Sequence, residues 1–300
     1  MFIYNPDIVV AICKFLTLLD IDEFQLINKS ISDILIKGKN YILQDECHTP
    51  IEPHGVIIDD RGNQSYYKES KLHRDGDLPA VIRTDGTQQW WRNGKQHRDG
   101  DQYAEIDDLG IKYWYQYGLL HRNNDNPAVI TLRGDMEWYQ NGKRHRDGDN
   151  PAIIFANGTQ IWYKDGQQHR DGDLPSMIRL NGDREWTKYG KQHRDGDLPA
   201  VDHVNGTKEW IKDGKLHREG DLPAAIHRDG DTCWAINGEY HREGDNPAVI
   251  MGNNFDPNSR YQRGDKIWYY RGKIHRGNNL PAVVCTNGHQ EWWIDGIHIK

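Results

Sequence analysis

The sequence predicts a mainly β protein: an elongated antiparallel β-hairpin repeat array preceded by a small helical domain. Two observations lead to this prediction. From about residue 54 to residue 300 one pattern recurs with a 24-residue period, and each copy contains two turn-forming Gly dipeptides. Residues 1–46 contain no copy of the pattern and place apolar residues at helical spacing. A fixed period of this length is typical of repeat architectures.

A His-Arg pair marks each copy of the repeat. Eight pairs lie 24 residues apart, at His73, His97, His121, His145, His169, His193, His217 and His241. A ninth pair follows at His275, after a spacing of 34 residues. The additional ten residues predict a loop insertion near 251–263, where the chain is polar and contains Pro257.

A large aromatic residue stands seven positions before each His. These residues are Tyr66, Trp90, Trp114, Trp138, Trp162, Trp186, Trp210, Trp234 and Trp268, and Trp292 continues the series. A proline stands six positions after the His in every copy except the second, where Tyr103 replaces it. With apolar residues at only 36% of the chain, the aromatic rings are expected to supply much of the buried surface.

Two dipeptides in each copy favour tight hairpin turns, as at Asp85-Gly86 and Asn93-Gly94. The six residues between these turns, 87–92, have a length that suits a single strand. With neighbouring segments pairing on both sides, each copy should contribute two to three strands. The result would be a sheet that grows by addition of similar hairpins, in which each copy contacts its neighbours.

The turns also predict which side chains face each other. A two-residue turn at the Asn-Gly pair places Trp90 opposite His97, and one at the Asp-Gly pair places Val81 opposite Trp90. The His-Arg-Asp-Gly-Asp-Leu-Pro segment predicts a kinked loop, because proline cannot donate a hydrogen bond to a ladder. The Pro-Ala-Val-Ile segment after it predicts a short strand.

The run Trp-Tyr-Gln-Asn-Gly-Lys at 138–143, with its equivalents in other copies, resembles the variant form of MORN repeats. The resemblance covers about residues 54–300. It implies short β-hairpins stacked into an elongated sheet and contact with proteins or lipids without catalysis. The period of 24 and the added His-Arg-Asp-Gly-Asp-Leu-Pro element differ from the usual MORN pattern. Similar arrays also resemble repeat proteins of large DNA viruses.

Residues 1–46 predict three short amphipathic helices. Asn5 and Pro6 form a helix start, followed by apolar residues on one face, and two further start signals lie at Asp20 with Glu23 and at Ser30 with Asp33. This segment resembles an F-box, although Asn5 stands where the family usually has Leu. The resemblance implies docking to the Skp-type adaptor of a cullin–RING ubiquitin ligase, through Pro6, Ile8, Ile12, Phe15 and Leu16.

Charge and cysteine content exclude several classes of function. The formal net charge is −7 with both signs interspersed, which argues against nucleic-acid binding. The four cysteines are far apart and lack a CxxC pair, so neither a zinc site nor a disulfide framework is expected. The apolar stretch 8–19 is too short to span a bilayer. We therefore expect a cytoplasmic protein (in the host cytoplasm if viral) without membrane insertion.

The repeated polar residues leave alternatives open. Three or four His side chains would have to converge to hold a metal, whereas copies in a sheet keep them apart, so we expect structural roles for the His column and no metal or cofactor. The Asp-Gly-Asp loops could bind calcium, but an Asp/Arg brace of the turn is the simpler interpretation. The Trp column is a candidate glycan platform or, more simply, core.

The expected function follows from the order of the two segments. A helical head that docks a Skp-type adaptor and a repeat array that binds an unknown target predict a substrate adaptor for a ubiquitin ligase. No copy carries a distinguished nucleophile or acid–base pair, so we expect no enzyme activity. The alternative is a structural or attachment protein, such as a virion component or a glycan-binding rod.

Overall fold

The computed structural model describes residues 55–253 and 260–300. This part of the chain is mainly β and contains no helix. The F-box-like segment 1–46 and the centre of the predicted insertion lie outside the described residues. The chain divides into two compact units, residues 1–95 and 96–300, and each is described by itself.

The strands are short, and most contain two residues. In the first unit they are β1 (Gly55–Ile58), β2 (Gln64–Lys68), β3 (Lys71–Leu72), β4 (Val81–Ile82), β5 (Gln88–Gln89) and β6 (Trp91–Arg92), and β7 (Lys95–Gln96) lies at the boundary. In the second unit they are β8 (Glu105–Ile106), β9 (Lys112–Tyr113), β10 (Tyr115–Gln116), β11 (Leu119–Leu120), β12 (Val129–Ile130), β13 (Met136–Glu137), β14 (Tyr139–Gln140), β15 (Lys143–Arg144), β16 (Ile153–Ile154), β17 (Gln160–Ile161), β18 (Tyr163–Lys164), β19 (Gln167–Gln168), β20 (Met177–Ile178), β21 (Arg184–Glu185), β22 (Thr187–Lys188), β23 (Lys191–Gln192), β24 (Val201–Asp202), β25 (Lys208–Glu209), β26 (Ile211–Lys212), β27 (Lys215–Leu216), β28 (Ala225–Ile226), β29 (Thr232–Cys233), β30 (Ala235–Ile236), β31 (Glu239–Tyr240), β32 (Val249–Ile250), β33 (Lys266–Ile267), β34 (Tyr269–Tyr270), β35 (Lys273–Ile274), β36 (Val283–Val284), β37 (Gln290–Glu291), β38 (Trp293–Ile294) and β39 (Ile297–His298).

Two strands of each copy form a continuous antiparallel sheet in the second unit. Its order is β8, β9, β12, β13, β16, β17, β20, β21, β24, β25, β28, β29, β32, β33, β36, β37, with each strand paired to the next. In the first unit β2 pairs with β1, β3 and β4, and β4 pairs with β5. The repeated antiparallel hairpins confirm the mainly β hairpin array of the predicted fold class, whereas the helical domain predicted before it lies outside the described residues.

The other two strands of each copy form a separate hairpin. In the copy that spans residues 138–161, β14 pairs with β15, so that Tyr139 faces Arg144. Successive hairpins are joined by one backbone hydrogen bond, in which Gly142 N donates to the Leu120 carbonyl at 2.8 Å. Each copy of the second unit therefore contributes to a sheet and to a row of hairpins beside it.

The prediction of a single strand between the two turns is wrong, because the backbone before and after the tryptophan pairs with different segments. Trp138 N donates to the Ala152 carbonyl at 2.8 Å in the sheet. The Trp138 carbonyl accepts from His145 N at 3.1 Å in the hairpin. The N–H and the carbonyl of Trp138 thus bind different segments, which divides residues 136–140 into β13 and β14. The Trp–His pairing itself is confirmed.

The Asp-Gly turn is one residue longer than predicted. Arg83 N donates to the Thr87 carbonyl at 2.9 Å, and Gly86 N donates to the Arg83 carbonyl at 3.1 Å. With Gly86 at a φ of 100°, this is a turn closed by a left-handed residue, as in three-residue hairpin loops with a bulge. The extra residue shifts the register, so Val81 faces Gln89 and not Trp90 as predicted.

The Asn-Gly turn has the predicted two-residue form. Asn141 and Gly142 have φ values of 49° and 79°, the paired left-handed conformation of a type I′ turn. The long loop from Arg146 to Pro151 contains no strand, as the His-Arg-Asp-Gly-Asp-Asn-Pro sequence of this copy predicts. A short Val-Ile or equivalent strand then returns the chain to the sheet.

The core of the array is a column of small residues packed beside the tryptophans. The alanine after the loop is fully buried at Ala80, Ala104, Ala128, Ala152, Ala200, Ala224, Ala248 and Ala282. Ser176 takes this place in one copy, where its hydroxyl accepts a hydrogen bond from Gln168 Nε2 at 3.2 Å. A position with no exposed surface next to a ring leaves no room for a larger side chain.

Enlarging one of these alanines is expected to destabilise the array. We predict that Ala200→Val lowers the free energy of unfolding by about 1–3 kcal/mol, because added methyl groups must displace Trp186 and Val201 in the same buried cluster. Urea unfolding followed by tryptophan fluorescence measures the change. The control is Ala156→Val at an exposed turn, which should change stability by less than about 0.5 kcal/mol. Equal effects at both positions would contradict the packing described.

Candidate functional site

In the second unit, an arginine from one copy binds an aspartate of the preceding copy. Arg146 Nε donates to Asp125 Oδ1 at 2.7 Å, and its Nη2 donates to Asp125 Oδ2 at 2.8 Å. Its Nη1 donates to the carbonyl of Pro151 in its own loop at 3.2 Å. The guanidinium lies 3.9 Å from the ring centroid of Trp138, whose indole N–H donates to the Asp125 carbonyl at 3.0 Å. We call the bidentate contact the Arg–Asp bridge.

The same bridge recurs through the second unit. It joins Arg122 to Asp101, Arg146 to Asp125, Arg170 to Asp149, Arg194 to Asp173, Arg218 to Asp197, Arg242 to Asp221 and Arg276 to Asp245. The last pair spans the insertion, so the insertion leaves the coupling of its flanking copies intact. Bidentate pairs of this type are the stronger class of charge-assisted hydrogen bond.

The bridges contribute to the stability of the array at low pH. The hydrogen bonds from Arg194 hold the pKa of the Asp173 carboxyl below its usual value, and the same holds for Asp149 beside Arg170. A carboxyl with a depressed folded pKa contributes stability above its unfolded pKa, and loses it as the pH falls through the folded pKa. We therefore predict that the urea midpoint falls as the pH is lowered below about 5. A midpoint that rises between pH 5 and pH 3 would contradict this.

The two carboxylates of each loop serve different partners. Asp147 accepts a hydrogen bond from His145 Nε2 at 3.2 Å within its own loop. Asp149 instead accepts the bridge from Arg170 of the next copy. In residues 55–253 and 260–300, no group of three or more His, Cys, Asp or Glu side chains is placed to hold a metal ion. The Asp/Arg brace expected from the sequence thus takes the form of a contact between copies.

The histidines form a second link between copies. Nδ1 of His145 accepts a hydrogen bond from the backbone N–H of Asp165 in the next copy, at 3.1 Å. Because Nδ1 accepts, we assign the ring proton to Nε2, which donates to Asp147. The same backbone contact joins His73 to Asn93, His121 to Asn141, His193 to Asp213, His217 to Asn237 and His275 to Asp295. We call it the His bridge.

Two copies replace the His bridge with an aromatic stack. Tyr117 and Tyr189, with φ values of 51° and 48°, occupy the turn position that is Asn or Asp in most other copies, Glu69 in the first and Arg271 in the ninth. Their rings stack on His97 and His169, with centroids 4.5 Å and 4.2 Å apart. A tyrosine in the left-handed region is strained, and the stack adds a contact at the same position. These two histidines are the most buried of their column, whereas the others are partly exposed.

Tyr103, which replaces the loop proline in the second copy, keeps the structural contacts of that position. Its carbonyl accepts from Arg98 Nη1 at 3.2 Å, as proline carbonyls do in other copies. Its ring packs edge-on against Trp114 at 6.1 Å between centroids. The replacement of proline by Tyr103 therefore changes only local contacts.

The repeat tryptophans are buried and not presented to solvent. Their exposed fractions are 5% to 8% at Trp90, Trp114, Trp138, Trp162, Trp186, Trp210, Trp234 and Trp268. An arginine covers the ring in the copies of the second unit, as Arg194 covers Trp186 at 3.8 Å. Rings covered in this way cannot offer a flat face to a sugar.

The space between the sheet and the hairpins is lined by residues that change along the array. Near residue 140 it is polar, and Glu137 accepts from Tyr139 at 2.9 Å and from Arg144 at 3.0 Å. Burial and the Glu137 charge raise the pKa of Tyr139 to about 12. Sequence analysis missed this cluster, because the positions that form it differ from copy to copy.

Further along, the same space is apolar. Ala225, Cys233, Val249, Ile267, Val283 and Cys285 form one buried cluster. Burial raises the pKa of both thiols to about 11, so neither is a reactive thiolate near neutral pH. The free cysteines expected from the sequence are therefore packing residues here.

Cavities of about 540 Å³ and 740 Å³ lie between successive loops of the second unit. The first is lined by both bridges, including His145, Asp149, Trp162 and Arg170. The charged groups that line it are engaged in the bridges and in ion pairs, whereas Nε1 of Trp162 and Nδ1 of His169 are buried without a hydrogen-bond partner. The charged groups therefore do not converge on a ligand, as they would in a small-molecule site.

The Arg–Asp bridges and the His bridges together link neighbouring copies of the repeat. A scan against protein-family models finds none that matches the chain, and a search of the curated proteins finds no match either. The described part of the chain has no helix with the length and hydrophobicity of a bilayer span. The described polar column residues bind adjacent copies, and we assign them a structural role.

Proposed function

We propose that the chain is a non-catalytic scaffold for protein interactions, and that it acts as a substrate adaptor of a cullin–RING ubiquitin ligase. The observation that supports a scaffold is the use of the repeated Arg, His and Asp side chains as bridges between copies. An active site needs one distinguished constellation. Polar groups that recur almost identically and bind one another are those of a structural array.

The resemblance of the array to variant MORN repeats, and to repeat proteins of large DNA viruses, belongs to this proposal. It is supported by the hairpin geometry, in which an aromatic residue precedes a two-residue Asn-Gly turn. The partner of the array is proposed to be a protein. A net charge of −7 disfavours a nucleic acid, and we place the protein in the cytoplasm of its cell or host.

The ligase connection rests on residues 1–46 and their resemblance to an F-box. A Skp-type adaptor would contact Pro6, Ile8, Ile12, Phe15 and Leu16. The test uses the full chain and a purified Skp-type adaptor, with affinity measured by biolayer interferometry. The double variant Ile12→Lys/Leu16→Lys should weaken binding at least ten-fold, because each change places a charge in an apolar contact.

Leu132→Lys, the same chemical change at an exposed turn of the array, is the matched control and should leave adaptor binding unchanged. Failure of the wild-type chain to bind any Skp-type adaptor, with the β array folded by circular dichroism, would refute the ligase connection. The scaffold role of the array would then need another recruiting partner.

A structural or attachment role is the second candidate, and the bridges favour it. Two repeated links between neighbours suit a chain that must span a distance without losing its geometry. This role predicts that deleting residues 1–46 leaves function intact, and that virion fractions or a glycan array give a signal. The adaptor role predicts that the same deletion abolishes function.

A further inference from the structure

Four consecutive hairpin turns of the second unit carry apolar residues at their tips. The position is Asp108, Leu132, Ala156, Leu180, Val204, Arg228, Gly252 and Thr286 in the order of the chain. We define the tip row as Leu132, Ala156, Leu180 and Val204. The hairpins that carry them, β12–β13 through β24–β25, are consecutive in the antiparallel sheet. All four turns therefore lie at the same ends of the strands.

The tip row is exposed to an unusual degree for apolar residues. Leu132 is 79% exposed, Leu180 is 74% exposed and Val204 is 66% exposed. Single exposed leucines are ordinary on protein surfaces, whereas contiguous apolar rows mark interaction sites. At the tip position itself the neighbours of the row are Asp108 and Arg228, while Leu109, the next residue of the preceding turn, is 64% exposed.

The fold does not require large apolar side chains at these tips. Leu132 lies against Gly110 of the preceding copy, where an added Cβ would be 3.2 Å from its methyl carbon. In other copies a threonine makes the same contact, as Thr84 does against Gly62 and Thr286 against Gly264. One threonine methyl group is enough to cover the glycine, so the additional apolar surface is free for another purpose.

The backbone of the tip row is fixed, and one exposed cation, Arg133, lies beside it. Asp135 Oδ1 accepts from Ala156 N at 2.8 Å, and Asp183 Oδ1 accepts from Val204 N at 2.9 Å. These carboxylates therefore bind the backbone of the neighbouring turns. The other charged side chains in the four turns are the exposed Arg133 and Arg179, the latter also paired with Glu185. An approaching segment meets apolar tips with the Arg133 cation beside the first of them.

The spacing of the row identifies the kind of segment that fits. Two strands per copy at ~4.8 Å each place successive tips ~10 Å apart. An α-helix rises 1.5 Å per residue, so every seventh residue recurs after about 10.5 Å on nearly the same face. Side chains on one face of a β-strand recur at about 7 Å, which does not match. Four side chains also bury far less than the ~800 Å² per partner of a stable dimer.

We propose that the tip row docks a single amphipathic helix of a partner protein, with apolar residues at every seventh position and acidic residues beside them. The proposal rests on the proposed function in one respect, since it takes the array as the part that binds the target. It adds where on the array the target lies and what chemistry recognises it.

The test measures binding of a fluorescent four-heptad peptide to the full chain by fluorescence anisotropy. The peptide has Leu at every seventh position, with Ala and Glu on the rest of that face. A peptide of the same composition with Leu at every fifth position is the first control. The triple variant Leu132→Thr/Leu180→Thr/Val204→Thr is the second, because it installs the residue that the array itself uses at this position.

We expect the heptad peptide to bind at least ten-fold more tightly than the control peptide, and the triple variant to lose at least ten-fold in affinity with an unchanged urea midpoint. Arg133→Glu should also weaken binding. The proposal is overturned if neither peptide binds, if the triple variant binds normally, or if a polyproline peptide binds in place of the helix.

Sedimentation equilibrium tests the remaining possibility, that a second copy of the chain binds the tip row. A dimer that the triple variant dissociates would also overturn the helix proposal. These measurements contain no Skp-type adaptor, so loss of adaptor binding by the Ile12→Lys/Leu16→Lys variant and loss of peptide binding by the triple variant are independent results.

Discussion

Replacing Trp186 with Ala is expected to lower the free energy of unfolding by about 3–5 kcal/mol. The ring is buried in a cluster with Ala200, Val201 and Ile211. It is also the surface on which Arg194 lies, at 3.8 Å from the centroid. Removing it opens a cavity and leaves the guanidinium without its stacking partner, so two stabilising contacts are lost together.

The measurement is equilibrium urea unfolding followed by circular dichroism. Trp186→Phe is the control, since phenylalanine retains a ring under Arg194 and should lose less than half as much stability. Because copies in an array stabilise their neighbours, the loss should spread beyond the altered copy. Hydrogen exchange of the Ser176 amide in the preceding copy and of the Trp210 amide in the following copy, each bonded within its own copy, should therefore accelerate. Protection that is unchanged in both neighbours would contradict coupled copies.

Replacing Arg194 with Ala is expected to lower the free energy of unfolding by about 1–3 kcal/mol. The side chain makes the bridge to Asp173, a hydrogen bond to the Pro199 carbonyl and the stack on Trp186. Because the Asp173 side chain is 55% exposed, its charge is partly screened, and the ion pair alone accounts for the smaller share. The larger share comes from the uncovered ring and the unpaired carbonyl.

Asp173→Asn is the matched control for this prediction. It removes the charge of the partner but leaves the stack and the Pro199 hydrogen bond in place, so it should cost less than Arg194→Ala. Arg194→Lys should resemble Ala more than wild type, because an ammonium group lacks the planar fork that binds Asp173 and lies flat on the ring. Equal stability of the Lys variant and wild type would contradict the geometry of the bridge.

Much of the fold could be predicted from local sequence signals. The period, the Asn-Gly turns and the Trp–His pairing follow from residues close together in one copy, such as Trp138, Asn141 and His145. Two features could not. An Asp-Gly pair is compatible with both a two-residue turn and a longer bulged one, and Asp85-Gly86 adopts the longer form. The break at Trp138 arises because the next copy pairs with only part of the run.

The partners of the polar residues were the least predictable part. Arg146 has Asp147 and Asp149 close by in sequence, yet it binds Asp125, 21 residues earlier. Nothing in a single copy distinguishes these carboxylates, since the choice depends on how consecutive loops lie against each other. The same reasoning applies to His145, whose backbone donor belongs to the next copy. A structural role for the repeated Arg and His residues could be expected. Whether each of them binds the preceding or the following copy could not.

The claim that the repeated polar residues hold neighbouring copies together is tested most directly by double-mutant cycles on Arg194. The account predicts a coupling free energy of about 0.5–3 kcal/mol between Arg194 and Asp173, in the preceding copy. It predicts a coupling near zero between Arg194 and Asp197, which is nearer in sequence but binds Arg218. Coupling to Asp197, with none to Asp173, would contradict the account.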